Sequence, residues 1–126
     1  MFGLLLFLVL LEAGMRLGGF ALLSIQEYEN SKSFKQKNAY RILCLGESTT
    51  QGQYPKILEK LLNQSGVGIR FSVIDKGKNA TNTSTLLNHV ESYLQEYRSD
   101  MVIAMMGIND EGEHMPFEPP TDSKIL

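Results

Sequence analysis

Apolar residues open the chain as an almost unbroken run and later return in short bursts separated by polar, glycine-containing turns. Residues 1–23 read MFGLLLFLVLLEAGMRLGGFALL, with Glu12 and Arg16 as the only charges. As a helix rising about 1.5 Å per residue this run is ~34 Å long, enough to cross a hydrocarbon core of about 30 Å. Each charge would cost about 2.5–3.5 kcal/mol at a helix centre on insertion scales, but the i,i+4 spacing puts both on one face, where they neutralise each other. A cleaved signal peptide is the rival reading. The run is long for one, has no basic start and lacks an obvious small-x-small cleavage site. A buried helix of a soluble protein is the third. A transmembrane anchor over 1–23 is the expectation.

Residues 25–38 are polar and charged, with neither helical nor alternating apolar rhythm, and read as a linker or membrane-proximal arm within 24–40. The apolar bursts follow. Residues 41–45 predict a strand. Pro55 fits the first turn of a helix over 55–64, with Ile57, Leu58, Leu61 and Leu62 as its apolar face and Gly66 and Gly68 ending it. Phe71, Val73 and Ile74 mark a second strand, closed by Asp75-Lys76-Gly77. Residues 84–97 predict a second helix with Leu86, Leu87, Val90 and Leu94 on one side and Thr83 or Ser84 as its cap. Residues 101–106 form a third strand, apolar throughout, as a strand covered on both faces should be.

Strand, helix, strand, helix, strand in that order predicts right-handed βαβ units and a parallel sheet. Functional groups then collect beyond the carboxyl ends of the strands. The fold class expected is α/β: an incomplete three-layer α/β/α (flavodoxin-like) parallel sheet over 41–126, preceded by the transmembrane helix. Three strands leave an unfinished edge, and the proline-rich segment after Gly112 ends without another strand, as in a shortened domain.

Composition narrows the function classes. A chain of 126 residues holds one small domain at most. The net charge is −2 and the charges are mixed, so no basic stripe points to nucleic acid. Lys32, Lys35, Lys37 and Arg41 follow the apolar run, which by the positive-inside rule argues for a cytoplasmic domain. Against that, Met1 lies inside the apolar run, as it would if a basic leader preceded it in a longer form, and the domain is expected to be extracytoplasmic. Cys44 is the only cysteine, so no intrachain disulfide forms. Between Leu43 and Leu45 it reads as a small buried hydrophobe rather than a reactive thiol.

The chemistry lies in the loops after the strands. In Leu45-Gly46-Glu47-Ser48-Thr49-Thr50-Gln51-Gly52 an apolar run breaks at a glycine and a serine follows in a polar turn, a way to lift a nucleophile off a buried strand. Alone, the signal is weak, because Ser and Thr after a strand usually cap the next helix. It is not a phosphate loop, lacking Gly-Lys-Ser/Thr, nor the Gly-x-Ser-x-Gly elbow of α/β-hydrolases. Gly107-Ile108-Asn109-Asp110 repeats the design after the third strand: its carboxamide can aim an N–H at a developing oxyanion, although Asn and Asp are also common turn formers. Between them runs Val73-Ile-Asp-Lys-Gly-Lys-Asn-Ala-Thr-Asn-Thr-Ser84.

These three segments, in order and on the expected elements, resemble the first three sequence blocks of the SGNH (GDSL-type) ester hydrolases, over roughly residues 41–112. The resemblance implies Ser48 as nucleophile and first oxyanion donor through its backbone N–H. It implies Ala80 as second donor through its N–H, and the Asn109 side chain as third. Family members hydrolyse esters and thioesters or remove acyl groups from carbohydrates, so the implied partner is an acylated small molecule or carbohydrate. No metal and no cofactor is implied.

Glu47 stands where the family has aspartate, Asp75 where it has asparagine, and Ala80 where it has glycine. Glu47 is tolerable if its carboxylate only braces the loop. Ala80 is strained if its φ is positive. The family's base is a histidine preceded by an aspartate in an Asp-x-x-His block, which this sequence does not contain. His89 reads as exposed helix surface and His114 as part of a solvated loop, with Glu111 where the aspartate would be. The expectation is a membrane-anchored SGNH-type serine esterase cut short before its catalytic histidine. A non-catalytic acyl- or carbohydrate-binding module on the same fold is the alternative. A flavodoxin-type phosphate binder and an acyltransferase are further ones.

Overall fold

A computed structural model describes residues 2–110. Gly112, His114 and the proline-rich segment lie outside the described residues. The order is α1 (Phe2–Phe34), β1 (Ala39–Gly46), α2 (Tyr54–Gln64), β2 (Arg70–Gly77), α3 (Thr83–Tyr97) and β3 (Met101–Met105). The strands form one parallel sheet in the order β2-β1-β3. Gly46 is in register with both Gly77 and Met105, so the loops that follow all leave from one level.

Alternation along β1 divides the core between the two faces of the sheet. Leu43 and Leu45 pack with Ile74 and Tyr97, joined by Phe34, Val90, Tyr93 and Met106. Ile42 and Cys44 pack with Val73, against Tyr54, Leu58 and Leu62 of α2. Each such aliphatic side chain contributes about 1.5–3 kcal/mol on full burial.

The helix faces are narrower than the apolar pattern predicts. Leu58 and Leu62 reach the sheet, whereas Ile57 and Leu61 are both 59 % exposed. On α3, Leu86 is buried and Val90 packs on the core, but Leu87 and Leu94 are exposed. A helix on a two- or three-strand surface can bury only a stripe about one i,i+4 row wide. β3 also departs from expectation. It is an outer strand paired only with β1, and Met101, Val102 and Met105 are exposed, so it is not covered on both faces among the described residues.

The segment expected to be a linker is helical. No proline or glycine interrupts residues 24–34, and α1 runs on through them to Phe34. Their polar side chains complete the outer edge of β2. Asn30 receives the Asp75 N–H at Oδ1 (2.8 Å) and donates from Nδ2 to the Asp75 carbonyl (2.7 Å). Gln26 Nε2 donates to the Asp75 and Gly77 carbonyls (3.0 and 2.9 Å), and Ser72 Oγ donates to the Ser33 carbonyl (2.8 Å). From α2, Glu59 accepts the Val73 N–H (2.7 Å) and Asn63 pairs with both backbone groups of Phe71 (2.9 Å each). Side chains thus take the place of a neighbouring strand and satisfy groups that an open edge would expose.

The first two-thirds of α1 touches none of this. Its leucines, valine and phenylalanines from Leu4 to Leu23 are 48 % or more exposed. The helix is long and apolar enough to cross a membrane, and none of its most apolar window is buried. The expected ion pair forms, Arg16 Nε donating to Glu12 at 2.8 Å.

Candidate active site

The loop after β1 turns at once. Glu47 carbonyl accepts the N–H groups of Thr50 (3.0 Å) and Gln51 (3.1 Å), which leaves Ser48 and Thr49 exposed at the outside of the turn. Gly46 and Gly77 are required by close approach: a Cβ on Gly46 would collide with the Met105 carbonyl and Thr50, and one on Gly77 with the Gln51 backbone. The Ser48 turn is therefore seated closely against the ends of β1 and β2.

Glu47 is wholly buried and points away from solvent into the third loop. Oε1 accepts the Gly107 N–H (2.9 Å) and Oε2 the Asn109 N–H (3.1 Å). Two backbone N–H groups held by one buried side chain fix the two loops to each other.

Asp75 braces the first loop against the second. Its Oδ2 accepts the Gly52 N–H (2.7 Å) and its Oδ1 the Gly77 N–H (2.8 Å). Burial raises its carboxyl above the usual carboxylate range, and the two backbone N–H groups only partly oppose this. Because the folded value is raised, ionisation of Asp75 weakens the fold: stability it contributes below the unfolded pKa is lost as pH rises through the folded one. Asp75→Asn removes that titration. Urea unfolding followed by tyrosine fluorescence should show native protein losing stability relative to the variant as pH rises from acid to neutral. A constant difference would contradict the assignment.

The second loop passes through Ala80 with φ of +52°, the left-handed region that favours glycine. The conformation costs an L-residue roughly 1–2 kcal/mol. Ala80→Gly should therefore raise stability by about 1 kcal/mol, after the extra chain entropy of glycine is subtracted, visible as a higher urea midpoint. The loop is held in this shape from both sides. Asn79 donates its N–H to Gln51 Oε1 (2.7 Å), and Gln51 Nε2 donates to Gln26 Oε1 on α1 (3.0 Å). On the other side, Asn109 Nδ2 donates to the Thr81 carbonyl (2.9 Å).

α3 begins at this junction. Its cap is Asn82 rather than Thr83 or Ser84: Asn82 Oδ1 accepts from the Thr85 N–H (3.0 Å) and hydroxyl (2.9 Å). Asp110 Oδ1 accepts the Thr83 N–H (2.9 Å), and hydrogen bonding from Thr83 holds its carboxyl below the usual carboxylate range. Asx acceptors from two loops thus serve the free N–H groups of one helix end.

Ser48, Ala80 and Asn109 come together with Thr81, Asn82 and Thr85 around an open cleft of about 360 Å³. A larger groove of about 570 Å³ lies between α1 and α2, meeting the loops at Gln51, Gly52 and Asn79. No protein-family model, curated protein or solved structure matches the chain.

Among the described residues no acidic, histidine or cysteine cluster is arranged to hold a metal ion. His89 lies exposed on α3, stacked on Tyr93 with centroids 5.8 Å apart, and does not line the cleft. Cys44 is buried in the core, where desolvation pushes its thiol up to about 11, so at neutral pH it is an inert apolar side chain. Gln26 and Gln51, which hold the Ala80 loop, carry no sequence signal: they are polar residues of an expected linker and of a turn.

Proposed function

We propose that this chain carries the nucleophile and oxyanion donors of an SGNH-type serine ester hydrolase, tethered to a membrane by the apolar part of α1. The observation that supports this reading best is the convergence of three loops on one cleft. Ser48, Ala80 and Asn109, far apart in sequence, line it together. Glu47 supports it too, since a wholly buried carboxylate there serves the Asn109 loop and competes with nothing at Ser48.

In the reaction, Ser48 Oγ attacks the carbonyl carbon of an ester while its proton passes to a base. The tetrahedral oxyanion is held by the N–H groups of Ser48 and Ala80 and by Asn109 Nδ2. That nitrogen carries two N–H bonds; Thr81 takes one and orients the other. The leaving alcohol is protonated and departs, and water then releases the acyl group from Ser48 by the reverse sequence. The reading calls for a histidine base, which none of the described residues supplies at the cleft. The fold that goes with this reading is the three-layer, flavodoxin-like one. The substrate is an acylated small molecule or carbohydrate, met on the extracytoplasmic side.

Acid-quenching the native polypeptide during turnover of a chromogenic ester tests this directly: intact mass should show an added acyl group. The only histidine among the described residues does not line the cleft, which favours a second reading, a binding module that holds an acyl or sugar group without hydrolysis. Saturable binding with no adduct and no turnover would select it.

A further inference from the structure

The direction of α1 relative to the sheet has a bearing on substrate. Gln26 bonds to Gly77 at the carboxyl end of β2, Asn30 to Asp75, and the Ser33 carbonyl to Ser72 nearer the amino end. Phe34 then meets Arg41 and Tyr97. α1 therefore runs antiparallel to the strands, and its apolar part projects past their carboxyl ends, the side on which Ser48, Ala80 and Asn109 lie.

Residues 3–23, at about 1.5 Å each, fill a hydrocarbon core of about 30 Å. Gln26 comes within one turn of Leu23, about 4.5 Å further along. The headgroup band is about 5–7 Å thick on each side, so Gly77, and with it Gly46 in register, sits at headgroup level. The helix is continuous through this point and is pinned to the body by the Lys56–Glu29 and Lys76–Glu27 ion pairs, so the domain cannot swing away on a linker. Ile108, 60 % exposed beside Asn109, faces solvent on the same side. The groove between α1 and α2 runs along α1 from Leu22 and Ile25, past Gln51 and Asn79, to Gln36 and Glu59, with its apolar residues Leu22 and Ile25 at the membrane end.

We infer that the cleft opens onto the surface of the bilayer that α1 crosses, and that the ester it takes is the acyl ester of an amphiphile resident in that bilayer. The inference rests on the serine-hydrolase reading and narrows its substrate class. The amphiphile keeps its chains in the membrane and offers its ester carbonyl at headgroup level, where Ser48 stands. A soluble polysaccharide would have to enter between the domain and the membrane.

Spin-label depth measurements on the full chain in phospholipid vesicles test the orientation without any catalysis. Lys78→Cys and Ile108→Cys place labels at the carboxyl ends of the strands. Lys37→Cys and Val67→Cys place them at the amino ends, about 26 Å away for an eight-residue strand. Buried Cys44 should stay unlabelled. The first pair should show raised collision with oxygen over a water-soluble nickel chelate, and the second pair the ratio of bulk water. Four equal ratios, or the reverse order, would overturn the orientation. The substrate class is read by acid-quench mass spectrometry with a vesicle-borne acyl phospholipid and with a short soluble ester. An adduct from the phospholipid supports the inference. An adduct from the soluble ester alone overturns it and leaves the hydrolase standing, whereas no adduct from either overturns the hydrolase reading and the substrate class with it.

Discussion

Ser48→Ala should lower ester turnover by the native polypeptide roughly a millionfold, the scale on which a serine hydrolase loses rate with its nucleophile. The substitution removes one oxygen from an exposed side chain at the outside of the turn. The contacts that hold the turn are all made elsewhere: the Glu47 carbonyl, the Glu47 carboxylate, Gly52 on Asp75 and Gln51 on Asn79. The variant should therefore unfold at the native urea concentration and bind substrate as before, so that the whole loss falls on the acylation step. A fall of only a few-fold would mean that the cleft binds or positions something without a covalent step through Ser48.

Asn109→Ala should reduce kcat by roughly 10²–10³ with KM changed little, the usual cost of one side-chain oxyanion donor. The oxyanion exists only in the transition state, and a donor aimed there stabilises that state alone. Part of any loss will be structural, because Asn109 Nδ2 also bonds the Thr81 carbonyl and so helps to hold the loop that carries Ala80. The urea midpoint of Asn109→Ala reads that structural part. Asn109→Asp loses the Thr81 bond as well, since a carboxylate has no N–H to donate. It retains size and the backbone N–H held by Glu47, but presents a negative charge to the oxyanion. It should be at least as impaired as alanine. An aspartate variant of near-native activity would show that Asn109 is a turn residue and no donor.

The elements with a strong apolar rhythm were legible in the sequence. The strand expected at 41–45 is the centre of β1, and the helix expected at 55–64 lies within α2 to a single residue. The illegible parts are those in which polar groups answer distant backbone. Residues 25–34 have no apolar rhythm because their task is to give the Gln26 and Asn30 side chains and the Ser33 carbonyl to β2, and only the fold brings that edge beside them. Ile57, Leu61, Leu87 and Leu94 extend the apolar faces of α2 and α3 beyond what these strands can cover. β3 looked fully enclosed for the same reason, since its apolar run is as long as that of a central strand while its outer edge has no neighbour among the described residues.

At the cleft, Ser48 and Asn109 stand out in short local patterns and Ala80 only through the family resemblance of its segment, and the fold brings the three to one cleft. The sign of φ at Ala80 could not be read, because alanine gives no hint of a left-handed turn that glycine would have announced. Nor could the Gln26–Gln51–Asn79 chain, which links the apolar helix to the loop carrying Ala80. That chain makes α1 part of the site's architecture and more than a tether.

The central claim is that Ser48 is a nucleophile in a working oxyanion site. Treating the native polypeptide with a fluorophosphonate and mapping the adduct by peptide mass spectrometry tests it most directly. The account predicts a single phosphonylated residue, Ser48, with no adduct on its neighbours Thr49 and Thr50 and none after heat denaturation. An unmodified Ser48, or equal labelling of native and denatured protein, would contradict it.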